Sequence, residues 1–238
     1  MSIALASAAA PGIAPRSVFS LPPGALVDPA ARAWAPFAQS WDDLPRDGWM
    51  ADGGTYRRRR YAAFRVAGAQ STRLPHCAHF QLRDHNPLNG GVARWFAPMA
   101  EATTGSPLFQ ALLRDTAARI ADAAAQAARA WMVEAHQFRI EALPEQPGLP
   151  TPEGMHHDGR DWVLILLVGG GAYAGGESRV ADASGACRFA RRLTRPGEAL
   201  LLNDRQVRHE TTPIEATTPA TPAWRDTLVL TFAQASER

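Results

Sequence analysis

The sequence predicts a mainly β protein with flanking helices, its C-terminal half a jelly roll of the cupin-like kind. Three observations predict it. Short strand-like runs recur from Trp162 onward with turn formers between them, Leu108 to Ala128 repeats with helical period, and Trp131 to Ala142 alternates with the period of a strand. Several short strands at near-regular spacing argue for a sandwich or barrel and against a parallel βαβ sheet.

Residues 1–40 are rich in Ala and Pro, and Pro11, Pro15, Pro22, Pro23, Pro29 and Pro36 interrupt long regular elements. They are read as a partly irregular N-terminal arm with one short helix near Pro29 to Phe37. The opening residues lack the basic stretch and apolar core of a signal peptide and are read as a frayed terminus. Residues 41–238 are read as a single domain, with helical and strand support over 41–143 and the core jelly-roll strands over 144–238.

Thr55 to Val66 is the first predicted strand. Arg57 and Arg59 share one of its faces, Arg58 and Arg60 the other, and the inward pair needs a carboxylate or a ligand. His76, Cys77, His79 and His85 follow in a loop marked by Pro75 and Asn86-Pro87. Their spacing fits no usual zinc pattern, so they are read as surface or partly packed. Ser106-Pro107 starts a helix, with serine capping free amides and proline in the first turn. Its stripe of Leu108, Leu112, Leu113, Ile120, Ala124, Ala127 and Ala128, ending near Ala130, packs one side against a sheet.

In the next strand Phe138, Ile140 and Ala142 alternate with Gln137, Arg139 and Glu141. The polar face lines a pocket or meets solvent; the residues leave both open. Glu145 to Thr151 is a Pro-rich loop. Trp162 to Val168 is apolar throughout, as a strand buried on both faces is. After it, Gly169-Gly170-Gly171 and Gly175-Gly176 serve turns, since no helix signal follows them. Glu177 to Ala181, Cys187 to Leu193, Glu198 to Asn203, Val207 to Thr212 and Thr227 to Phe232 are the remaining strands.

A formal net charge of +2 argues for no particular partner, and the absence of a domain-wide basic face argues against nucleic acid. Two distant cysteines give neither a disulfide framework nor a zinc ribbon, which makes a reducing cytoplasm the default. No apolar run approaches the ~20 residues of a membrane span.

The chemistry concentrates at Glu153-Gly-Met-His-His-Asp-Gly-Arg-Asp-Trp-Val, just before the apolar strand. In extended backbone His156 and Asp158 turn to one side and His157 to the other. His209, from a strand brought alongside, completes a two-histidine, one-carboxylate set that leaves facial positions open on Fe(II). Arg225 enters the strand Asp-Thr-Leu-Val-Leu-Thr-Phe, where a buried guanidinium needs an anion. The C5 carboxylate of 2-oxoglutarate would supply one.

These segments, with Gly175-Gly-Glu-Ser, His209-Glu-Thr-Thr-Pro-Ile, Thr55-Tyr-Arg-Arg-Arg-Arg-Tyr-Ala-Ala-Phe and Gln137-Phe-Arg-Ile, resemble the bacterial 2-oxoglutarate/Fe(II) dioxygenases that include isoleucine dioxygenase and the biofilm-stress-motility proteins. The likeness covers roughly residues 40 to 235. It implies a double-stranded β-helix that hydroxylates a free aliphatic L-amino acid, or sulfoxidises methionine, with Fe(II), 2-oxoglutarate and O2. By position, His156, Asp158 and His209 match the iron ligands and Arg225 the cosubstrate arginine. Thr212 is placed beside the distal histidine, and Arg59, Gln137, Arg139 and Glu153 are expected as substrate contacts. Two other readings remain: a non-catalytic metal- or small-molecule-binding barrel in stress or biofilm regulation, and a cupin-like metal enzyme that does not use 2-oxoglutarate.

Overall fold

The computed structural model describes residues 14, 16–124, 129–218, 221 and 223–235 of the chain. Its strands are β1 (Val18–Leu21), β2 (Arg57–Ala67), β3 (Gln70–Arg73), β4 (Trp131–Ala142), β5 (Trp162–Gly171), β6 (Tyr173–Gly175), β7 (Glu177–Ala181), β8 (Cys187–Arg192), β9 (Ala199–Asn203), β10 (Arg208–Thr211), β11 (Ile214–Ala216) and β12 (Ala223–Gln234). Its helices are α1 (Trp34–Gln39), α2 (Glu101–Thr104) and α3 (Pro107–Ala124). A seven-stranded antiparallel sheet runs β1-β9-β5-β12-β4-β2-β3, opposed by the smaller sheets β10-β7-β8 and β11-β6. This is the mainly β jelly roll with flanking helices that the strand spacing predicts.

Alternation divides the large sheet into two interiors. In β5, Leu164, Leu166 and Val168 face a core shared with Phe109, Leu112, Leu113 and Ile120 of α3. Val163, Ile165 and Leu167 face a second core with Val180 of β7, Leu193 and Val207. Being covered on both faces, β5 has no polar side to show. Leu164 and Leu166 are completely buried.

Helix α3 starts where expected. The Phe109 amide donates to Ser106 Oγ at 3.2 Å, closing the cap. The part of the expected helix over 125–128 lies outside the described residues, as does the terminus 1–13.

Three expectations need correction. The N-terminal arm joins the fold: Val18–Leu21 pairs with β9 as an edge strand, because Val18, Phe19 and Leu21 bury against both cores and outweigh the surrounding prolines. The short helix lies at Trp34–Gln39, starting five residues later than the expected Pro29. In the loop after β3, His76 and Cys77 are exposed, but His79 is 3% exposed and pairs through its backbone with Arg94. That pairing turns the loop inward over the barrel. The three- and four-residue strands β1, β3, β6 and β11 carry too few residues for alternation to register.

Leu164→Ala should destabilise the chain by about 2–5 kcal/mol, the cost of a cavity in a closed core, and Ser106→Ala by about 1 kcal/mol through the lost cap. Urea denaturation of the two variants checks both.

Candidate metal centre

His156 pairs with His209 of β10 through both backbone hydrogen bonds, 3.0 and 2.9 Å, as an extension of the small sheet. Their rings stand 4.6 Å apart, and Asp158 turns back between them. His156 Nε2 lies 3.6 Å from Asp158 Oδ1, and His209 Nε2 lies 3.7 Å from Asp158 Oδ2. The three donor atoms all fall within 4.8 Å of one another. Ligands at right angles around an ion at roughly 2.1 Å sit roughly 3 Å apart, so small rotations would close this set on one metal. His157 points away and its Nδ1 donates to the Asp204 carbonyl at 2.6 Å.

The hydrogen bonding suits ligation. His156 Nδ1 donates to Gly154 O at 2.8 Å, which leaves Nε2, beside Asp158, as the atom that ligates a metal once it gives up its own hydrogen. Asp204 holds the turn from behind, accepting the amides of Asp158 and Arg160 at 3.1 and 3.0 Å. Its Oδ1 is also 3.7 Å from His209 Nδ1. Without a metal the set holds a proton. Burial pulls His156 down, but the Asp158 carboxylate and Glu153 outweigh it and raise its pKa to about 9. Burial and the neighbouring His156 cation keep His209 low.

One cavity reaches from this set to Arg225 at the start of β12. Arg225 is 2% exposed, and its Nε and Nη2 have no hydrogen-bond partner among the described residues. Burial lowers its pKa, against the smaller opposing pull of Tyr173 and Asp226. Gly176 makes the close approach possible: at φ +70° it sits where a Cβ would be 3.3 Å from Arg225 Cδ.

Of the other expected residues, Arg59 and Glu153 line the cavity. Gln137 and Arg139 do not. They lie on the opposite face of β4, where Gln137 Nε2 donates to Ser40 Oγ at 2.8 Å and Arg139 pairs with Asp226 at 2.7 Å. The face that reads as apolar from Phe138 and Ile140 is the inward one, and it carries Glu134 and His136 as well. Thr212 also lies outside the lining, its hydroxyl accepting the Glu177 amide at 2.9 Å; Thr211, in phase with His209, lines the cavity.

The inward face brings a second cluster that sequence reasoning missed. Donor atoms of His79, Glu134 and His136 also lie within 4.8 Å of one another. Here the ring polarity is reversed. Arg59 Nη2 donates to His136 Nδ1 at 2.8 Å, and Arg94 Nη2 donates to His79 Nδ1 at 3.1 Å. A guanidinium only donates, so both Nδ1 atoms accept and both Nε2 atoms carry hydrogen. Burial and the Arg59 and Arg94 charges hold His79 at about 2 and His136 far below its usual range. Glu134 is already occupied by Arg160 at 2.6 Å and Tyr61 at 3.1 Å. Arg94 and Asp204 were missed too; Asp204, five positions before His209, left a signal only in its turn sequence Asn203-Asp204.

A family model for 2OG-Fe dioxygenases matches residues 38–231. A 3(1)-hydroxy-L-isoleucine 4-dioxygenase from Pantoea ananatis (strain AJ13355) is 28% identical over 160 residues, 66% of this chain; the chain spans 64% of that relative's length. The crystal structure of a bsmA homolog from Methylobium petroleophilum PM1 is 37% identical, with TM-score 0.82 over 94% of this chain and 90% of that one. The structure of IDO from Bacillus thuringiensis, 18% identical, shares the fold with TM-score 0.73 over 92% and 91% of the two chains. No helix among the described residues is long and apolar enough to cross a membrane.

Two outcomes follow from the geometry. Because a metal must displace the His156 proton, its apparent affinity should rise about tenfold per pH unit and level off above about pH 9; competition with a fluorescent chelator across pH measures this. Asp204→Asn should weaken metal binding by about 10–100-fold while leaving the fold intact by circular dichroism.

Proposed function

Because the chain belongs to the 2OG-Fe dioxygenase family, we propose that it hydroxylates a free L-amino acid with Fe(II), 2-oxoglutarate and O2, releasing succinate and CO2. The observation that carries this reading is Arg225. It is a buried guanidinium with two unpartnered nitrogens, and it opens on the same cavity as His156, Asp158 and His209. An anion that neutralises Arg225 and also reaches the metal set must carry oxygens at both ends, as 2-oxoglutarate does.

In this reading His156, Asp158 and His209 hold the iron, and Arg225 holds the distal carboxylate of 2-oxoglutarate. Iron and cosubstrate, when bound, supply the oxidative decarboxylation that delivers oxygen to a C–H bond. The chain supplies position and dryness. Gln81 Nε2 donates to Asp158 Oδ1 at 3.3 Å, orienting the carboxylate. Ile165, Val229 and Phe138 wall the cavity with apolar surface. Arg59 and Glu153 offer opposite charges to a zwitterion, and Glu153 Oε2 is buried without a partner. The Pantoea relative's name, which specifies a hydroxylated isoleucine, supports an amino acid as substrate class.

A screen of the twenty proteinogenic amino acids with Fe(II), ascorbate and 2-oxoglutarate should give succinate and a mass gain of one oxygen for at least one of them. Arg225→Ala should raise the 2-oxoglutarate KM by roughly 30-fold or more without changing metal affinity. A wild-type chain that binds no Fe(II) would sink the reading.

A further inference from the structure

The cavity holds more buried positive charge than its own carboxylates neutralise, and the excess is not confined to Arg225. Asp47 serves Arg57 at 2.8 Å and stands 3.8 Å from Arg59, so one carboxylate is shared by two guanidiniums. Arg160 takes Glu134. Arg94 is 2% exposed, yet its side-chain partners among the described residues are His79 and Gln81, both uncharged, and its Nε has none there. Arg59 Nε is unpartnered as well. The two guanidiniums pack on the same Phe96 ring, at 3.6 and 5.4 Å from its centroid, and so are held close in spite of their like charge. An aromatic ring offsets only part of the cost of burying such a pair.

Between them lie the two histidines, whose Nε2–H groups make no hydrogen bond among the described residues; the Glu134 carboxylate stands 3.8 Å from His79 Nε2, beyond hydrogen-bond distance, and is engaged by Arg160. Their donor atoms are within 4.8 Å of each other and of Glu134. A second metal does not suit this cluster, because the lone pairs it needs are taken by arginines and the surrounding field is positive. Hydrogen-bond donors with buried cations behind them suit an oxyanion.

We infer that Arg59 and Arg94, with the Nε2–H groups of His79 and His136, seat the carboxylate of the substrate, separately from the seat at Arg225. The inference rests on the amino-acid reading above for the identity of that carboxylate, though not for the existence of the seat. It assigns His79 and His136 as neutral donors and gives Arg94 a role that its position in a loop hides.

Anaerobic calorimetric titration of the full chain loaded with Fe(II) and 2-oxoglutarate tests it. The probe is the amino acid that the succinate screen identifies, compared with its carboxamide. The acid should bind roughly 30-fold or more tightly than the amide. Arg94→Leu should weaken the acid by a similar factor and leave 2-oxoglutarate affinity unchanged. Equal affinity of acid and amide for the wild-type chain overturns the inference and needs no variant to fold. If the screen identifies no amino acid, the straight-chain monocarboxylates from acetate to hexanoate become the probes: binding that Arg94→Leu abolishes supports the seat while the amino-acid reading fails, and no binding overturns the seat too. Nitrogen-15 spectra of the zinc-loaded chain should show both histidines neutral with hydrogen on Nε2; hydrogen on Nδ1 of either overturns its role as a donor.

Discussion

The register that β4 keeps with β2 on one side and β12 on the other is the constraint on which the site depends. Arg59 stands opposite Phe138, and Phe138 opposite Thr227; Arg57 stands opposite Ile140, and Ile140 opposite Arg225. Because side chains repeat every two residues, one such pairing sends Arg57 and Arg59 of β2, Glu134 to Ile140 of β4 and Arg225 to Thr231 of β12, each in alternation, into the same cavity. A slip by one residue in β4 would exchange His136 and Glu134 for Gln137 and Ala135, and the cavity would lose its donors. The long pairings across β12 and β5 extend this control to the segment before Trp162, where Asp161 N donates to Phe232 O at 2.8 Å. The turn carrying His156 and Asp158 is therefore tied to the same frame as Arg225.

Within that frame, hydrogen-bond polarity separates two histidine clusters of similar size. His156 gives its Nδ1 hydrogen to a backbone carbonyl and leaves Nε2 for a cation. His79 and His136 receive hydrogens from arginines and keep donors for an anion. Proximity of nitrogens and a carboxylate is thus not sufficient to define a metal site, since the partner on the far side of each ring decides what the near side can bind. The distribution of arginines points the same way. Asp47 and Glu134 neutralise Arg57 and Arg160, whereas Arg225 and Arg94 face the cavity without a carboxylate.

Much of the fold was legible along the chain. The apolar run at β5, the full alternating length of β4 and the capped start of α3 each carry enough residues for a period to stand out. The edge strand β1 was not legible, since four residues among prolines acquire their meaning only when β9 lies beside them. At the site, the His-x-Asp spacing could be read because a two-residue period applies within an extended segment, and His209 stood in the strand-like run from Val207 to Thr212. The inward face of β4 was left open, and Gln137 and Arg139 were expected at a pocket they do not line, for a physical reason. Phe138 and Ile140 resemble core residues, but in a barrel the apolar wall of the cavity and its polar groups share one face, while Arg139 is satisfied outside by Asp226 and Asp42.

The sequence by itself determined the local chemistry: which segments extend, which residues fall in phase, and that a buried arginine at the head of β12 calls for an anion. Tertiary structure alone decided which of two faces points inward and which atom of each histidine is free. Alternation defines two faces without labelling them, and ring polarity is set by arginines that reach His136 from β2 and His79 from across its loop, contacts that exist only once the sheet has closed.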